Sequence, residues 1–218
     1  MLINGRPLNI SWAADHVAAI LEAWYPGSQG GNGIADVLFG DANPAGHLPV
    51  SWPRSSGQLP LYYNHNLTQN PETTPDFKSR YWDLQSTPLY PFGYGLSYTT
   101  FSFDNLKVTP AARIAAGTMI DVSADVTNTG SRSGDAVVQL YIHQRAGSAS
   151  RPVRQLKGFE KVTLEPGAKQ TIHFTLGKDE LQFWSPAEKH WTVEPEQFDV
   201  WIGQDSSAPL HGEFRLTN

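Results

Sequence analysis

The sequence predicts two architectures in succession: part of an α/β layered domain, then an antiparallel β-sandwich. Three observations carry this. Val17, Ile20, Leu21 and Trp24 recur at i, i+3, i+4 and i+7, one face of an amphipathic helix. From Ile120 onward the apolar period falls to two, the signature of half-buried strands. Between them lies YPFGYGLSYTTF, Tyr90 to Phe101, uncharged and aromatic, which follows neither period.

The first region, 1–101, reads as follows. MLIN is a short apolar run broken by GRP. DHVAAILEAW is a helix with Asp15 as its N-cap, stopped by YPG. SQGGNGIADVLFGD starts a second helix, with Ile34, Val37 and Leu38 on one face and Gly40 placed as its terminating glycine. GHLPVSWP is a short strand between breakers. Strand, helix, helix, strand is the end of a layered α/β domain. A parallel strand needs neighbours and helices on both sheet faces, so the rest of that domain is expected ahead of residue 1. Apolar faces on this half are then expected to be uncovered, to favour association and to be less protected than the sandwich. Residues 53–89, rich in Pro, Asn, Ser and Thr, read as a long functional loop or linker.

The second region, 102–218, alternates. Ile120, Val122, Ala124 and Val126 face one way, with Asp121, Ser123, Asp125 and Thr127 opposite. After the turn NTGSRSGD, Ala136, Val138, Leu140 and Ile142 repeat the pattern, as do Ile172, Phe174 and Leu176 and then Phe198, Val200 and Ile202. Phe214 and Leu216 close the chain. Each strand has one apolar and one largely polar face, which predicts a sandwich of immunoglobulin-like size. The aromatic stretch is the seam between the two regions: Gly93 and Gly95 permit tight backbone, and Tyr90, Phe92, Tyr94, Tyr98 and Phe101 pack between layers.

Composition removes several functions. Cys is absent, which excludes disulfides, thiolate metal sites and thiol catalysis. The net charge is −5 and no basic run exists, so a nucleic-acid partner is not expected. No apolar run is long enough to span a membrane, and MLINGRPLNI lacks the form of a signal peptide. The seven Trp suit either a core or sugar-stacking platforms, with the core favoured by the burial tendency of large aromatics.

Local motifs give no catalytic constellation. GSQGGNG lacks the Lys-Ser/Thr of a phosphate loop. The His residues are scattered without helical pairing, so no metal site is expected, and no cofactor either. No Ser has the G-x-S-x-G context. Glu72, Asp76 and Asp83 lie in the long loop, where they face a ligand or simply solvent. Asn9-Ile10-Ser11 and Asn66-Leu67-Thr68 match the glycosylation sequon.

The ordered set NGRPL, AWYPGSQGGNGIADVLFGDANPAGHLPVSWPRSSGQLPLYYNH, SRYWD, PLYPFGYGLSYTTF and SRPVRQLKGFEKVTLEPG resembles the C-terminal part of glycoside hydrolase family 3, of the β-glucosidase type exported to the bacterial periplasm. The resemblance implies a fibronectin type III-like sandwich after the α/β region and a periplasmic or extracellular location. It also implies retaining hydrolysis of terminal β-linked glucosyl residues, with a nucleophilic Asp on an N-terminal barrel and an acid/base Glu upstream of NGRPL. On that basis the chain holds no catalytic residue and is expected to be inactive alone. Its partners would be β-linked glucosides or oligosaccharides and the barrel with the other α/β half. The loop Arg80, Tyr81, Trp82 and Asp83 is the candidate rim of the sugar pocket: Arg80 to donate to hydroxyls, Tyr81 or Trp82 to stack, Asp83 to accept. The competing reading makes Arg80 and Asp83 a structural ion pair. A freestanding carbohydrate-binding or scaffold sandwich is the alternative for the whole chain.

Overall fold

A computed structural model describes residues 1–66, 81–110, 114–115 and 117–217. The first region opens with Leu2 in parallel pairing against Glu22: the Leu2 amide donates to Leu21 O at 2.8 Å and the Ala23 amide to Leu2 O at 3.0 Å. This corrects the expected helix over 15–24. The helix there is α1, Ser11–His16, and Asp15 lies inside it rather than capping it. The chain around Glu22 pairs with Leu2 instead of continuing a helix, and Trp24 turns it with φ +51. Apolar residues on both sides of a short parallel segment imitate a helical face when read locally. The second helix, α2, Gly30–Phe39, forms as expected and ends on Gly40 in the left-handed region, φ +85. The segment 46–53 runs antiparallel to 89–94, through Trp52 N to Tyr90 O at 2.8 Å and Gly93 N to Leu48 O at 2.8 Å.

The second region is the expected sandwich. One sheet has the order β1 (Phe101–Thr109), β3 (Ile120–Asn128), β6 (Lys169–Leu176). The other has the order β2 (Ile114–Ala115), β10 (Leu210–Thr217), β9 (Gln197–Gly203), β4 (Gly134–Gln144), β5 (Gln155–Leu164). Only β2 with β10 is a parallel pair among the sandwich strands. A short helix, α3 (Lys178–Leu181), leads to a separate hairpin, β7 (Phe183–Ser185) with β8 (His190–Thr192). The inward residues named from the sequence form one buried cluster, in which Phe198 and Phe214 stack with centroids 5.0 Å apart. Truncating a fully buried member such as Leu140 to Ala costs about 3 kcal/mol, the transfer loss plus the cavity.

The outer face of β4 departs from expectation. It reads as polar, yet Gln139 and Tyr141 are as buried as the core. The aromatic seam covers them. Tyr63 stacks on Phe92 at 4.2 Å and meets Tyr141 edge-on at 6.0 Å, while the Tyr141 hydroxyl donates to Gln139 Oε1 at 2.5 Å. Burial, before the nearby tyrosine and Asp205, raises the Tyr141 phenol well above its ordinary value. A second set of contacts ties α2 to the sandwich. Tyr98 OH donates to Val37 O at 2.6 Å, and Arg132 lies over the Tyr98 ring while donating to Gly40 O at 2.8 Å. Asn128, wholly buried, donates to Leu164 O and Arg132 O at 2.8 Å each and accepts from Thr99 Oγ1 at 2.6 Å. No helix among the described residues is long and apolar enough to cross a membrane.

Candidate functional site

The loop Tyr81–Asp83 rises from a platform built by residues 52–58. Trp52 is its base, 1% exposed, with its indole NH donating to Leu8 O at 2.8 Å and its ring 6.0 Å from that of Trp24. Arg54 reaches across to Thr87 O at 3.0 Å, and Gln58 Nε2 donates to Gln85 O at 2.8 Å. The Gln58 side-chain oxygen meanwhile accepts from Arg54 N at 2.6 Å. A buried glutamine amide used at both ends fixes the loop base, because either end left unpaired would cost about 1–3 kcal/mol. Sequence reading passed over Arg54 and Gln58, since the side chains that hold a loop from 30 residues away carry no local pattern.

On this base, Tyr81 is held by its hydroxyl to Gly57 O at 3.2 Å and its amide to Ser86 Oγ at 3.3 Å. Trp82 is 91% exposed. Asp83 is exposed and makes no ion pair among the described residues. Arg80 lies outside the described residues, as do Glu72 and Asp76. Tyr81, Trp82 and Asp83 therefore share one outward-facing tip.

The exposure of Trp82 is part of a wider correction. Of the seven Trp, only Trp52 is buried; Trp12, Trp82, Trp184 and Trp191 are all exposed. Burial tendency favoured a core role, but these rings sit on short segments at the surface, where Trp12 stacks on His16 at 4.5 Å and Trp184 meets Trp191 at 5.9 Å.

Among the described residues no carboxylate pair assembles at this tip. Two acids that do come together, Asp199 and Glu213, share Arg145: bidentate to Asp199 at 2.8 and 2.7 Å and single to Glu213 at 2.7 Å. His211 Nε2 adds a third contact to Asp199 at 2.7 Å. Burial acts to raise the Asp199 carboxyl, but the bonds from Arg145 and His211 outweigh it and hold the group low. Such a permanently ionised, fully paired carboxylate is a structural tie, unsuited to proton transfer near neutrality. Among the described residues no group of three or more His, Asp or Glu is placed to hold a metal.

A partial α/β layer with an exposed aromatic loop thus leads into an antiparallel β-sandwich. Residues 1–98 match the glycosyl hydrolase family 3 C-terminal domain and residues 136–206 the fibronectin type III-like domain. The chain belongs to glycoside hydrolase family 3, to whose C-terminal part it corresponds. It is 48% identical, over 99% of its length, to a periplasmic β-glucosidase of Salmonella typhimurium, of which it covers 28%. It is 43% identical over 95% of its length to a β-xylosidase of Formosa agariphila, again covering 28%. A β-glucosidase from Listeria innocua, solved in complex with laminaribiose, superposes with a TM-score of 0.92 at 35% identity, covering 99% of this chain and 30% of that one. The chain thus spans under a third of the relatives it matches.

Proposed function

We propose that the chain is the C-terminal part of a retaining β-glucosidase acting in the periplasm or outside the cell. Its substrates are terminal β-linked glucosides. A retaining enzyme needs two carboxyl groups about 5 Å apart, one to attack the anomeric carbon and one to protonate the leaving oxygen and then activate water. Both are supplied by sequence outside these 218 residues. The observation that carries this reading is the near-complete alignment to a periplasmic β-glucosidase over only 28% of that relative. The paired state of Asp199 agrees with it, because Arg145 and His211 tie up that carboxylate.

In this reading the Tyr81–Asp83 tip forms the rim of the sugar pocket, with Trp82 as the stacking surface, and residues 102–218 act as a separate folding unit that buttresses the α/β half through the aromatic seam. The barrel and the remaining α/β layer are its structural partners. Hydrolysis of an aryl β-glucoside is the test. The purified 218-residue chain is expected to give no turnover above a buffer blank, whereas the complete enzyme turns over. Turnover by the chain alone would overturn the assignment of both carboxyl groups.

A further inference from the structure

The hairpin of β7 and β8 places Trp184 directly opposite Trp191 in its pairing register, so both indoles stand on one face. Their rings meet edge to face, 5.9 Å apart and 74° inclined, and they remain 49% and 57% exposed. Two indoles left in water on one short hairpin are a binding feature more than a packing one. Beside Trp191 opens a cavity of about 370 Å³. Leu181 and Leu216, both buried, line it together with Val193. Thr118, Thr192 and Lys178 also line it, and no described lining residue is acidic. Lys178 makes no ion pair among the described residues.

We propose that this corner of the sandwich binds a β-gluco-configured oligosaccharide. The chemistry of the lining selects the ligand. A β-glucopyranose carries its substituents equatorially, which leaves flat C–H faces to stack on an indole and a rim of hydroxyls to meet hydrogen-bonding groups. Trp191 supplies the stacking wall, Thr118 and Thr192 the hydroxyl partners, and Lys178 a donor. Trp184, inclined to Trp191, receives the next sugar as the chain leaves the cavity. An apolar helix would offer the threonine and lysine side chains no hydrogen-bonding partner. An anion would find one cation beside two indoles. The cavity volume is within the usual range of small-ligand sites, roughly 300–1,000 Å³.

The proposal rests on the hairpin alone and not on the hydrolytic reading, so it is tested on the 218-residue chain, whose binding is measured without turnover. The probes are cellohexaose and laminarihexaose in isothermal titration. Saturable binding of at least one is expected, weakened about tenfold or more in Trp191→Ala, a loss of about 1.4 kcal/mol. Trp184→Ala is expected to weaken it less, and Trp12→Ala, on α1, to leave it unchanged. Absence of saturable binding overturns the proposal, as does binding lost in Trp82→Ala but kept in Trp191→Ala. Should Trp191→Ala melt early, Trp184→Ala decides, and unchanged affinity there overturns the proposal.

Discussion

The side-chain nitrogen of Gln139 donates to the carbonyl oxygen of Gly93 at 3.2 Å, joining the outer face of β4 to the aromatic seam. Gly93 has φ +82, and a Cβ placed on it would collide with the Gln139 amide. Both backbone strain and a displaced buried amide therefore oppose any side chain there. Gly93→Ala is expected to cost about 3 kcal/mol, the sum of a left-handed non-glycine residue and a lost buried hydrogen bond. Urea denaturation measures it. Adding Gln139→Ala removes the collision, so the double variant is expected to be more stable than the sum of the two single losses implies. Strict additivity would show that the two residues do not meet.

That pairing also marks the limit of sequence reading. The strands of the sandwich were legible because each buries one face against the opposite sheet, and a period of two survives in Ile120 to Val126 and in Ala136 to Ile142. Gln139 and Tyr141 looked like the polar face of β4 because nothing local records that Tyr63 and Phe92 close over them. The segment 17–24 failed for a related reason: its hydrogen-bonding partner is Leu2, and pairing is invisible to a periodicity count. The hairpin of β7 and β8 is too short for any period to emerge, so its two exposed indoles went unnoticed. The tip Tyr81–Asp83 was visible as a motif, whereas its anchors Arg54 and Gln58 were not.

The sandwich is expected to lose stability in acid. Hydrogen bonds from Lys169, then Thr171 and Asn105, hold the Asp125 carboxyl far below its ordinary value. Hydrogen bonds from Lys161 and Thr163 also lower the Asp135 carboxyl. At Asp199, burial works upward but Arg145 and His211 prevail, and the net shift is downward. Each folded value lies below the unfolded one, about 3.9. The stabilisation is then complete above that value and is lost as pH falls through the folded values. Thermal melting across pH is expected to be flat from about pH 5 upward and to fall below about pH 4. Asp199→Asn should lower the plateau and flatten the fall. High salt should weaken the contributions of the exposed Lys161 and Lys169 pairs more than that of Asp199. An acid limb unchanged in Asp199→Asn would remove Asp199 from the account.

The first region is expected to drive self-association of the isolated chain. Ile3, Trp12, Tyr25, Leu38 and Phe39 are exposed, Phe39 by 84%. Large apolar side chains concentrated in one half form the kind of surface that monomers bury. Sedimentation velocity should show the weight-average mass rising with concentration. Phe39→Lys combined with Tyr25→Lys should shift that rise to higher concentration without lowering the melting temperature. Hydrogen exchange should be faster over residues 1–66 than over β3, β4 and β9, whose inward side chains are buried. A strictly monomeric chain with even protection would contradict this.

Trp82 separates the two readings of its loop. A ring 91% exposed contributes almost nothing to folding, so Trp82→Ala should change stability by less than about 0.5 kcal/mol. If the ring stacks on a sugar, its removal from the complete enzyme raises KM for an aryl β-glucoside with little change in kcat, the mark of lost uniform binding. The rise should be about tenfold for a contact worth ~1.4 kcal/mol. Tyr81→Phe is the contrasting change. It loses the bond from the Tyr81 hydroxyl to Gly57 O while keeping the ring, so it should cost about 1 kcal/mol of stability and move KM less than Trp82→Ala does. A Trp82→Ala enzyme with unchanged KM and a lowered melting temperature would make the loop a structural strap and not a rim.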